Sequence, residues 1–161
     1  MNFVEPVRSV KDLEKIKNLL KLKKRDYLLF CLGINTGLRI SDILNLNVAD
    51  VLNKDYITII EKKTKKRKKI ALNETLQKLI KEFLSSKQKN GALFKTRFNN
   101  RLDRVQAYRI IKKACNKINK DLVVGTHTLR KTFAYHHYKQ FKDIALLQKI
   151  LNHSSPAITL R

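Results

Sequence analysis

In a chain with 36 lysines and arginines among 161 residues, one segment has almost no polar face. Residues 25–35 read as a helix that is apolar nearly all round, which places it at the centre of whatever core forms. Gly37 fits the left-handed cap that ends such a helix. The flanking segments are one-sided instead. Ser9 can cap a first helix in which Leu13, Ile16, Leu19 and Leu20 recur at helical spacing, with lysines filling the other face. A chain of this length suits one domain, here residues 1–161, with a core that needs neither disulfide nor metal. The two cysteines, Cys31 and Cys115, fall within apolar patterns and read as reduced core thiols.

The remaining pattern predicts a mainly α protein with a small antiparallel sheet (α+β). Arg39 opens a short helix bearing Ile40, Ile43 and Leu44. Residues 56–60 are β-branched and aromatic and read as a strand, and residues 69–72 as a second. The charged segment 61–68 between them makes a hairpin with a strongly basic tip. Asn73 caps a helix carrying Leu76, Ile80 and Phe83 to residue 87, closed by Asn90-Gly91. Residues 92–94 are briefly extended and 97–101 form a polar, basic loop. A helix from residue 103 places Val105, Tyr108, Ile111, Cys115 and Ile118 on one side. Further helices cover 127–140 and 144–151, and residues 156–161 open a last helical turn. No repeat, linker or domain boundary interrupts the pattern.

The 36 basic residues face only 13 acidic ones, a formal net charge of +23. Such a chain repels itself unless a polyanion is near, and nucleic acid is the economical partner because neutralised phosphates release counterions. A membrane surface is a poorer fit, since no basic amphipathic helix stands apart. The longest apolar stretch, 27–34, is too short to span a bilayer, and residues 1–10 have no signal-like apolar core. These features predict a cytoplasmic protein with no membrane partner. No His/Cys/Asp cluster has metal-ligand spacing, and no phosphate-binding glycine loop or dinucleotide fingerprint occurs, so no cofactor is expected.

Three stretches suggest a phosphate site: Thr36-Gly37-Leu38-Arg39, His127-Thr128-Leu129-Arg130 and Asn152-His153-Ser154-Ser155. Arginine offers a planar charged fork that matches two phosphate oxygens. His127 and Arg130, three apart at a helix start, share one face beside unpaired N–H groups that favour an anion. Each motif alone also reads blandly, as a surface arginine after a cap or a histidine closing a helix. Together their order resembles the catalytic signature of the tyrosine recombinase (phage integrase) family. Ile40-Ser41-Asp42-Ile43-Leu44-Asn45-Leu46 is similar to that family's first arginine box, with Asp42 in a supporting role. Leu151-Asn152-His153-Ser154 is similar to its Leu-Gly-His-Ser box, asparagine replacing glycine.

The resemblance implies a catalytic domain for DNA integration or recombination, of phage, mobile-element or other origin. Its partners would be double-stranded DNA and, in the full-length protein, further copies on that DNA. Arg39, Lys63, His127, Arg130 and His153 would be catalytic. The family places a lysine on the hairpin turn to protonate the departing 5′ oxygen. Lys62, Lys63, Lys65 and Lys66 compete for that part, and the likeness of Ile70-Ala71-Leu72 to the family's Val-Pro-Leu points to Lys63. The alternative is that the whole run, Lys62, Lys65, Lys66 and Arg67 included, contacts DNA backbone with no single catalytic lysine. The family's nucleophilic tyrosine would fall at position 162. None of Tyr27, Tyr56, Tyr108, Tyr135 and Tyr138 matches it, so the 161 residues are expected to bind DNA without cutting it, lacking also the family's core-binding domain and tyrosine helix. A non-catalytic DNA-binding or regulatory module of the same fold is the second reading. An RNA-binding protein, which rests on charge alone, is the third.

Overall fold

The computed structural model describes residues 3–85 and 90–160. Its central element is the apolar helix foreseen above, now α2 (Lys24–Thr36), which buries Leu28, Leu29, Phe30, Cys31 and Leu32. Around it pack α1 (Val10–Leu20), α5 (Glu74–Ser85), α7 (Thr128–Phe141) and the short α3 (Ile40–Leu44). A four-residue turn of helix, α4 (Val48–Val51), follows α3 and was not foreseen; its signal is the capping box of Asn47 and Asp50. Helix α6 (Arg104–Ile118) packs on α1 and α3, and α8 (Ile144–Ile150) and α9 (Pro156–Thr159) close the chain beyond α7. Ser9, Asp103, Asp143 and Ser155 each accept a helix N–H, so the starts of these four helices are stated by the sequence.

The sheet is one antiparallel pair, β1 (Tyr56–Ile60) and β2 (Arg67–Ala71), with Ile57 opposite Ile70 and Ile59 opposite Lys68. This corrects the expected second strand at 69–72. The ladder begins two residues earlier, because Lys66 O accepts from Glu61 N at 2.9 Å and Lys65 N donates to Glu61 O at 2.8 Å, closing a tight tip. Arg67 and Lys68 therefore belong to the strand rather than the tip. A second correction concerns α6, which buries Ala107, Ile111, Ala114 and Cys115, while Val105 is 56% exposed. Val105 precedes Ala107 by two residues, roughly 200° around a helix, and so faces away from the core. The expected end of α5 at residue 87 lies outside the described residues.

Two close approaches fix α7 against α2. A Cβ at Gly33 would lie 2.4 Å from Leu129 Cδ1, and one at Gly37 would lie 2.4 Å from Phe133 Cδ1. Gly37 also holds the left-handed cap of α2, with φ +69°. Gly91 has a similar φ, +79°, but a Cβ there would meet only the flexible end of Lys95. Gly37→Ala should therefore cost about 2–4 kcal/mol, the sum of left-handed strain and overpacking. Gly91→Ala should cost about 1 kcal/mol, strain alone. Urea denaturation of both variants tests this, and equal losses would remove the packing argument.

Candidate phosphodiester-binding site

The three boxes meet on one side of α2, and hydrogen bonds to the backbone join them. Arg130, in the first turn of α7 and buried, donates from Nη1 to Gly37 O at 2.5 Å and from Nη2 to Leu151 O at 2.6 Å. One guanidinium thus bridges the cap of α2 and the end of α8. Burial, with Arg39 nearby, pulls its pKa down to about 10, so it stays charged at neutral pH. Two of its five N–H donors are used by the carbonyls, and the fork retains donors for an anion.

Arg39 stands at the N-cap of α3 and donates from Nη1 to Glu61 Oε2 at 2.5 Å. Glu61, just after β1, is 0% exposed. Its other oxygen, Oε1, accepts from Asn152 Nδ2 and from Thr64 Oγ1. The carboxylate therefore ties the first arginine to the third box. Asp42, expected in a supporting role, makes its hydrogen bond to the hairpin and not to Arg39. Its Oδ1 accepts Lys62 N at 2.9 Å, pinning the hairpin tip to α3. Glu61 took the orienting part because β1 carries it across to α3. The sequence offered a weak signal for it, an acidic residue at the head of a run of lysines.

His127 caps α7 with no side-chain bond to its N–H groups, and the residue is exposed. Desolvation by its surroundings lowers its pKa, and the charges of Arg130, Lys63, Arg39 and Arg104 add to this. His153 lies next to Asn152, which adopts the left-handed conformation, φ 54°. Its Nδ1 is 2.9 Å from Thr159 Oγ1. Desolvation, then Arg130, Arg39 and Lys68, push its pKa down to about 4. Both imidazoles are thus neutral at pH 7, able to hydrogen-bond an oxygen or take a proton without adding charge. Lys63 sits exposed on the hairpin tip, close enough for its charge to act on His127. Lys62, Lys65, Lys66 and Arg67 are also exposed along the tip and the start of β2. The structure thus gathers Arg39, His127, Arg130 and His153, sets Lys63 at their edge and spreads the other basic residues outward. Among the described residues no group of three or more His, Cys, Asp or Glu could hold a metal, and no helix is long and apolar enough to cross a membrane.

Two guanidiniums, Arg39 and Arg130, with the neutral imidazoles of His127 and His153 beside them, make a cluster whose chemistry suits an anion. Residues 8–161 match the model of the phage integrase family, and the chain belongs to that family. It is 50% identical to a probable integrase/recombinase, YoeC, of Bacillus subtilis (strain 168), over all of this chain and 90% of that protein. It is 35% identical to tyrosine recombinase XerC of Caldanaerobacter subterraneus subsp. tengcongensis, over 91% of this chain but 44% of that one. The crystal structure of XerA recombinase superposes with a TM-score of 0.82 at 25% identity, covering 99% of this chain and 59% of that chain. The chain thus spans about half the length of the tyrosine recombinases it resembles. The fold is that of the tyrosine recombinase catalytic domain, mostly helical with a two-stranded antiparallel sheet.

Two outcomes test this site. Glu61→Ala removes the buried counter-charge of the partly buried Arg39 and should cost about 3 kcal/mol or more in chemical denaturation. A loss below 1 kcal/mol would show that Arg39 does not depend on it. The His153 imidazole should titrate near pH 4 by NMR. Because its folded pKa lies below the ordinary 6.5, the unfolded chain binds the proton first. His153 therefore takes stability away as pH falls from about 6.5 towards 4, and His153→Gln should lessen that loss.

Proposed function

We propose that this chain is the catalytic domain of a DNA integrase or recombinase, in which residues 1–161 form one unit that binds duplex DNA and activates a phosphodiester. The observation that carries this reading is the convergence of Arg39, Arg130, His127 and His153, from three distant segments, on one preorganised centre. Arg39 and Arg130 hold the non-bridging oxygens and stabilise the charge that builds on them in the transition state. Neutral His127 and His153 add hydrogen bonds. A tyrosine hydroxyl, expected at residue 162, attacks phosphorus and gives its proton to the neutral His127 imidazole; the tyrosyl O–P bond forms and the bond from phosphorus to the 5′ oxygen breaks. Lys63 passes its proton to that leaving oxygen. The 3′-phosphotyrosyl link keeps the bond energy for rejoining, so no nucleotide is consumed. The exposed Lys62, Lys65, Lys66 and Arg67 track the DNA backbone beside the site. In the full-length protein further copies assemble on the same DNA.

The test extends the chain through a tyrosine at residue 162 and offers a nicked suicide duplex. A covalent adduct is expected. Lys63→Ala should slow its formation about 10²–10⁴-fold, the range for losing a general acid, while duplex binding stays near normal. Duplex binding without any adduct would favour the non-catalytic DNA-binding module instead. An equal slowing by Lys65→Ala or Lys66→Ala would overturn the assignment of Lys63.

A further inference from the structure

The hairpin carries one lysine unlike the others. On the inward face of the sheet, Ile57 pairs with Ile70 and Ile59 with Lys68. Three of these four positions hold isoleucine, as alternation demands of a strand with one face on the core. The fourth holds a lysine that is only 9% exposed and whose Nζ has no hydrogen-bond partner. A buried ammonium without a partner is costly, and a strand that breaks its own pattern in this way marks a place where function outweighs stability.

The charges around it show what is missing. Glu61 at the end of β1, Arg130 of α7, and Arg39 and Asp42 of α3 all lie near enough to act on the Lys68 amine. The two arginines bring two positive charges, and the buried carboxylates of Glu61 and Asp42 bring two negative ones. His127 and His153 are held neutral. The arginine–carboxylate frame therefore balances, and Lys68 is its one surplus buried cation among the described residues. A phosphodiester carries one negative charge. We propose that Lys68 is a further phosphate-binding residue of this centre, its ammonium donating to a non-bridging oxygen of the phosphodiester that Arg39 and Arg130 hold. The inference rests on the DNA reading above. In the free protein, desolvation first, then Arg130 and Arg39, hold the amine at a pKa of about 8 against the opposing pull of Glu61 and Asp42. An added phosphate favours the charged form, so binding raises that pKa and locks the proton on.

Lys68→Met keeps the length of the side chain and suits the apolar face, so the variant should fold with undiminished thermal stability. Binding of the chain to a fluorescein-labelled random-sequence DNA duplex is then measured by anisotropy over a range of salt. Losing one phosphate contact should weaken binding roughly tenfold at low salt and make the slope of log K against log salt shallower by about one. A merely structural lysine would leave the slope unchanged, and an unchanged slope with unchanged affinity overturns the proposal. A second measurement keeps the wild-type sequence. The Lys68 Nζ resonance, assigned by its absence from Lys68→Met, should titrate near pH 8 in the free chain and distinctly higher with the duplex bound. If its midpoint does not move on binding, Lys68 does not meet the phosphate. Should the wild-type chain fail to bind duplex at all, the DNA reading itself falls. Normal binding with a silent Lys68 removes this inference alone.

Discussion

The site depends first on the Arg130 guanidinium and the two carbonyls it holds, Gly37 O and Leu151 O. A helix leaves its last carbonyls without internal partners, and here the ends of α2 and α8 each lend one to the same side chain. That side chain stands in the first turn of α7, which itself is locked onto α2 through Gly33 and Gly37. Three segments far apart in the chain thus share one donor group. The placement of two further candidate residues is tied to it, because Arg39 comes two residues after Gly37 and His153 two residues after Leu151.

A second constraint is electrostatic. Two guanidiniums brought close together repel, and the fold offsets this with buried carboxylates. Glu61 takes Arg39 and Asn152 at once, and Asp42 takes the backbone of the hairpin tip. A site neutralised from behind keeps its open side for an anion and need not reorganise when one arrives, which is the condition under which fixed donors stabilise a transition state best. The same arrangement explains the two histidines. Their neutral state at pH 7 follows from desolvation and from the cations beside them, not from any acidic partner.

Much of this was legible in the sequence where a signal is local. The all-apolar helix, its glycine cap, the Ser and Asp caps and the three boxes all declare themselves over a few residues. What the sequence conceals has a common cause: it concerns which residue meets which across the fold. Asp42 shares a helix with Arg39, and local spacing made it the natural partner. Glu61 reaches that arginine only because a strand carries it there, and no spacing rule encodes this. The start of β2 was misplaced for a related reason. Arg67, Lys68 and Lys69 look like one solvated charge run, yet pairing with β1 turns the middle one inward. A run of like residues conceals the alternation that would otherwise reveal a strand.

The site's two kinds of basic residue also differ in what a substitution can report. Arg130 and Arg39 are bonded into the fold as well as being the candidate phosphate ligands, so removing either disturbs the scaffold together with any anion binding. A loss of activity in such a variant cannot be divided between them without a stability measurement, since residues in one hydrogen-bonded network do not contribute additively. Lys63, exposed on the hairpin tip, has no structural duty of that kind, so its chemistry can be separated from the fold. Lys68 falls between the two classes. It is buried like Arg130, yet no hydrogen bond ties it to the scaffold. Its removal relieves the fold of an unpaired charge, so a loss of DNA affinity in Lys68→Met would not be a loss of stability.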